Sequence, residues 1–134
     1  VERMVRNLSV LLVEASKVQS LFICKQLNSI GVVNIEHVDS IFAAKKSLSN
    51  FIPELIISSM YFQDGCGIEF IEYVKNVYQN SIAFVLISSE QNSELLNQVK
   101  TAGSVAILTK PFKLEELEKA LNLVLLQIDE LTLD

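Results

Sequence analysis

The stretch PELIISSMYFQDGCG, residues 53–67, decides the fold. LIIS (55–58) is a short, mostly apolar run behind Pro53, which reads as a strand buried on both faces. A loop follows and closes at Gly67. A strand of that kind belongs in a parallel sheet, and parallel sheets do their chemistry just beyond the carboxyl ends of their strands. Here that end delivers Ser58 and Ser59, where phosphoryl chemistry would want a carboxylate.

The rest of the chain repeats the pattern. LSVLLV (8–13), VNIEHV (33–38), IAFVLI (82–87) and VAILT (105–109) read as four further strands. Between them lie amphipathic segments. One starts at the N-cap Ser16, carries Val18, Leu21, Phe22, Leu27 and Ile30, and stops at Gly31. Ile41, Ala44 and Leu48 mark a second, and Ile68, Phe70, Ile71 and Val74 a third. Leu95, Leu96 and Val99 mark a fourth, closed by Gly103, and the last helix runs from about Leu114 to Leu131. Strict alternation of five strands and five helices implies right-handed crossovers and a parallel sheet covered on both faces. The expectation is one α/β domain over residues 1–134, with its core at about 8–128.

Composition narrows the function. Half of the 134 residues are hydrophobic and 20% are charged, which excludes a disordered tail. A net charge of −5 argues against nucleic acid as a direct partner, because phosphate binding needs a basic face. No apolar run approaches the roughly 18 residues of a membrane span, and no secretory signal pattern opens the chain. Cys24 and Cys66 lie far apart without metal-ligand spacing, so a reducing cytoplasmic setting is expected. The chain opens on Val1 and is expected to be a piece of a longer multidomain protein.

The strand ends carry Glu14, Ala15 and Ser16, then Ser59, Met60 and Tyr61, then Ser88 and Ser89, and finally Lys110, Pro111 and Phe112. Together with VLLVE, PELIIS followed by Gly67, AGS (102–104) and TKPF (109–112), this set resembles the receiver domain of bacterial two-component response regulators. The intervals fit as well: Ala15 to Ser59 is 44 residues and Ser59 to Lys110 is 51. The resemblance implies a CheY-like, flavodoxin-like three-layer fold with strand order 2-1-3-4-5. It places the phospho-acceptor position on Ser59 and the acidic pair on Glu14 and Ala15. It also implies that the hydroxyl Ser88 and the lysine Lys110 are retained, that Lys110–Pro111 is cis, and that Ile107 replaces the aromatic switch residue.

Those departures bear on chemistry. A serine hydroxyl cannot form an acyl phosphate, and Mg²⁺ seeks an octahedron of hard oxygens with one or two carboxylates. Ala15 offers none, so no Mg²⁺ and no other cofactor is expected. Glu14 and Lys110 can neutralise each other; an ion pair between them, or a hydrogen bond from Lys110 to Ser59, is expected in the pocket. Asp64 is the alternative acceptor, although QDG reads more simply as a turn. His37 reads as an edge-strand residue.

The final helix spaces Leu114, Leu117, Leu121, Val124, Ile128 and Leu131 as a seam. At about 100° per residue, Leu126 points opposite Leu117 and Leu123 points well away from it, so the helix is apolar nearly all round. Leu123 and Leu126 are therefore candidates for a protein contact or dimer. The resemblance places such contacts on the face of the fourth helix, fifth strand and fifth helix, beside a possible output domain. The functional expectation is a non-catalytic pseudo-receiver in a phosphorelay-type pathway, held in one dominant conformation. Its rival is a phosphorylatable receiver that uses Asp64. A small enzyme finds no support, since neither a Gly-rich phosphate loop nor a nucleophile–base pair is present.

Overall fold

The computed structural model describes residues 7–132, with side chains through Asp129. The strands are β1 (Ser9–Val13), β2 (Asn34–Val38), β3 (Leu55–Ser59), β4 (Ala83–Ser88) and β5 (Ala106–Thr109). The helices are α1 (Lys17–Ile30), α2 (Ile41–Leu48), α3 (Gly67–Tyr78), α4 (Ser93–Ala102) and α5 (Leu114–Thr132). All five strands run parallel in the order 2-1-3-4-5, as expected. Boundaries moved by a residue or so; β3 and β4 each run on to include a serine, Ser59 and Ser88. The sequence reading missed a 3₁₀ turn at Gln79–Ser81 and a hairpin. Residues 61–62 pair antiparallel with 65–66, so the loop after β3 is a tight hairpin.

Side-chain alternation along the strands feeds two apolar layers. Val10, Leu12, Leu55, Ile57, Val85 and Ile87 face α1 and α5. Leu11, Val13, Ile56, Phe84 and Leu86 face α2, α3 and α4. Among the described residues no helix is long and apolar enough to cross a membrane. Leu131, the last member of the expected α5 seam, lies outside the described side chains.

Helix α1 corrects the sequence reading. Its cap and stop are as expected: the Ser16 hydroxyl accepts from the Gln19 amide, and Gly31 adopts φ 111°. The buried face, however, is Ser20, Ile23 and Leu27. Val18, Leu21 and Phe22 are 76%, 62% and 50% exposed. Apolar residues stand on opposite sides of this helix, and periodicity alone could not say which stripe meets the sheet.

Gly67 opens α3 where the chain turns back beneath the hairpin. A Cβ there would sit 2.6 Å from Leu86 Cδ1 and 2.9 Å from the Ser59 carbonyl oxygen. Gly67→Ala is expected to destabilise the fold by about 1–3 kcal/mol, read as a lower urea midpoint. An unchanged midpoint would mean that β3 and α3 can part at no cost.

Candidate functional site

The carboxyl ends of β1, β3, β4 and β5 converge on one buried carboxylate, Glu14. Its Oε1 accepts a 2.5 Å hydrogen bond from the Ser59 hydroxyl. Lys110 Nζ stands 3.5 Å from the same oxygen. Its Oε2 accepts from the Ser16 amide at 2.9 Å. The expected Glu14–Lys110 pair is present, and Ser59 bonds to Glu14 rather than to Lys110. A buried carboxylate is costly unless paired and hydrogen-bonded, and this one has an ion partner and two donors.

Backbone geometry places those groups. Lys110–Pro111 is cis, and the Lys110 amide donates to the Ser88 carbonyl at 2.9 Å. The Ser88 hydroxyl is buried and accepts from the Glu90 amide at 2.9 Å. Ser58 is fully buried, and its hydroxyl donates to the Ser59 carbonyl. Ile107 is half-buried against the α2–α4 layer, paired in register with Leu86. His37 is an exposed residue of the edge strand, as expected. Its Nε2 lies 2.9 Å from the Glu14 carbonyl oxygen, a link from β2 to the end of β1 that sequence reading did not supply.

Ala15 is exposed in a cleft of about 500 Å³ that is also lined by Asp39, Ser40, Gln63 and Asp64. Asp64 is structurally committed. Its Oδ1 accepts from the Ile41 amide at 3.2 Å and its Oδ2 from the Phe42 amide at 2.8 Å. The Ser40 hydroxyl takes the Ala43 amide, so the first turn of α2 has its free donors satisfied. The Phe42 amide above all, and then that of Ile41, hold the Asp64 carboxyl below its ordinary value. Asp64 is thus a cap that pins the hairpin to α2, a role no local motif announces because 22 residues separate donor and acceptor. Across the other side, the Tyr61 hydroxyl donates to Glu90 Oε1 at 2.6 Å and ties the hairpin to the loop after β4. That bond raises the Tyr61 hydroxyl and lowers the Glu90 carboxyl from their ordinary values.

Glu14 has both oxygens engaged, and Ala15 presents no ligand. Among the described residues no group of three or more His, Cys, Asp or Glu side chains is placed to hold a metal ion.

On α5, Leu117, Leu121 and Val124 are buried, whereas Leu123 and Leu126 are 48% and 59% exposed. None of the exposed large apolar side chains among the described residues lies on α4 or β5; α1 carries three.

A family model described as the response regulator receiver domain matches residues 10–122. No curated protein matches the chain. Among solved structures, the chain is similar to the chemotaxis response regulator CheY4 of Vibrio cholerae, at 24% identity and a TM-score of 0.78, covering 87% of this chain and 98% of that one. It is similar to the signal receiver domain of an HD domain-containing protein from Pseudomonas fluorescens, at 20% identity and TM-score 0.84, covering 97% and 96%. A third, the beryllofluoride-activated NtrC4 receiver domain dimer, matches at 19% identity and TM-score 0.77 over 91% and 97%. At these identities the likeness concerns the fold.

Two substitutions test the site's architecture. Ser59→Ala removes a donor from a buried carboxylate and is expected to cost about 1–3 kcal/mol, seen as a lower melting temperature. Asp64→Ala removes the α2 cap and is expected to cost about 1 kcal/mol at neutral pH. Because the native carboxyl is depressed, that contribution is full above about pH 4 and is lost as pH falls through the lower native value. The gap in melting temperature between wild type and Asp64→Ala should therefore close in strong acid. A gap independent of pH would rule out the charged cap.

Proposed function

The chain belongs to the response regulator receiver domain family, and on that premise we propose that it is a pseudo-receiver, a signalling module that works without phosphorylation. Receivers of this family are parts of two-component signalling proteins. The observation that carries the proposal is the closed Glu14–Ser59–Lys110 cluster. A phosphorylatable pocket gathers carboxylates whose excess negative charge a divalent cation relieves. Here one carboxylate meets one ammonium, and the hydroxyl at the acceptor position donates to that carboxylate. Within that cluster the two charges cancel.

Ser59 has no route to an acyl phosphate. A phosphoester on its oxygen would need a general base, and Glu14, the adjacent carboxylate, is held by Lys110 and the Ser16 amide. The rival reading, phosphorylation on Asp64, draws on its place in the cleft beside Ala15. Against it, both Asp64 oxygens accept backbone donors from α2, and attack on a phosphodonor would release that helix end. The protein is proposed to bind neither Mg²⁺ nor another cofactor, to catalyse nothing, and to work in the cytoplasm within a longer regulatory protein. With Ile107 at the switch position and no phosphoryl group to favour a second state, one conformation dominates.

Function then lies in protein contact. The outward face of α5, with Leu123 and Leu126, is the proposed surface. Of its possible extensions, the face shared with α4 and β5 adds no exposed large apolar side chain, and α1 adds three.

Thermal melts with Mg²⁺ and beryllofluoride test the loss of chemistry. No shift in melting temperature is expected for the wild type. The double variant Ala15→Asp with Ser59→Asp restores the two missing carboxylates and is expected to gain several degrees from the same additives. A rise in the wild type that Asp64→Ala abolishes would establish Asp64 as acceptor and end the pseudo-receiver reading.

A further inference from the structure

Helix α1 presents an outward stripe of Val18, Leu21, Phe22 and Lys25 at spacings of three, one and three, opposite the buried Ile23 and Leu27. Lys17 precedes it. The helix sequence KVQSLFICKQLNSI holds two lysines and no acidic residue. In a chain of net charge −5, that makes a locally basic face with an apolar middle. Helix α5 covers the same side of the sheet, since both helices pack into one apolar layer. Its sequence holds five carboxylates and one lysine: Glu115, Glu116 and Glu118 lie before the exposed Leu123 and Leu126, and Asp129 and Glu130 lie after them. So α5 runs acidic, apolar, acidic where α1 runs basic, apolar, basic.

We propose that the α1–α5 face is a self-docking surface, on which α1 of one copy lies across α5 of a second copy and the reverse contact forms by two-fold symmetry. An isologous interface needs a patch that complements itself, and two neighbouring helices of opposite charge with apolar centres meet that requirement. The groove beside α1 adds shape. About 450 Å³ in volume, it is lined by Val18, Gln19, Phe22, Lys110, Pro111 and Phe112 and is mostly apolar. The Phe22 and Phe112 rings stand 6.4 Å apart and tie the α1 stripe to the segment that enters α5. A leucine of the partner's α5 finds apolar contact there. The inference deepens the contact-module reading and rests on it, because it names the partner as a second copy.

The test is light scattering on the eluting 134-residue chain and sedimentation velocity, from micromolar to high micromolar concentration. A monomer–dimer equilibrium that weakens with added salt is expected. Lys17→Glu with Lys25→Glu should weaken it roughly tenfold or more, and Glu115→Lys with Glu118→Lys should do the same. Mixing the two double variants should restore association, since each then offers the helix the other needs. Circular dichroism confirms that these surface variants fold. A monomer throughout, or a dimer indifferent to the charge reversals, would overturn the self-docking proposal. Either result would leave the loss of phosphoryl chemistry untouched, because that stands on the response to Mg²⁺ and beryllofluoride.

Discussion

A buried carboxylate must be paid for by its neighbours, and Glu14 sets that condition for the whole end of the sheet. One oxygen takes the Ser59 hydroxyl and the Lys110 ammonium, and the other takes the Ser16 amide. Those three groups come from beyond β1, from the end of β3 and from beyond β5. The sheet order puts β1 beside β3 and leaves β5 two strands away from β3, and the long Lys110 side chain makes the link from beyond β5. The Lys110 amide in turn holds the Ser88 carbonyl at the end of β4. One charge therefore organises four strand ends.

The same cluster gives the end of the sheet a fixed form. Residues that hold a phosphoryl group and a cation are too negative to sit together unaided. In this chain Ala15 and Ser59 add no charge there, and Glu14 and Lys110 form an ion pair. Around it, the hairpin at 61–66 is fastened on both sides, by Asp64 to α2 and by Tyr61 to Glu90. Functional interest consequently moves outward, to helices whose apolar residues the sheet does not need. The apolar stripe of α1 and the outward leucines of α5 keep about half or more of their surface exposed.

Much of this was legible in the residues. The apolar runs at 8–13, 55–58 and 82–87 announce strands because a strand buried on both faces leaves no room for polar alternation. Ser16 and Gly31 bracket α1 through capping chemistry that acts within a few residues. The Glu14–Lys110 pair follows from charge. Less legible was Asp64, which reads as a turn residue and proves to be a cap for a helix that starts 23 residues earlier. The link from His37 to the Glu14 carbonyl depends likewise on strand pairing.

The α/β alternation and the helix caps can be read from the residues alone, because each depends on neighbours in the chain. Tertiary structure decided the rest. It chose Ile23 and Leu27 rather than Val18, Leu21 and Phe22 as the buried face of α1, and it made Glu14 the acceptor of the Ser59 hydroxyl. Both outcomes turn on which group comes within reach when the sheet closes. A helix with apolar residues on two sides can bury only one of them against a single sheet.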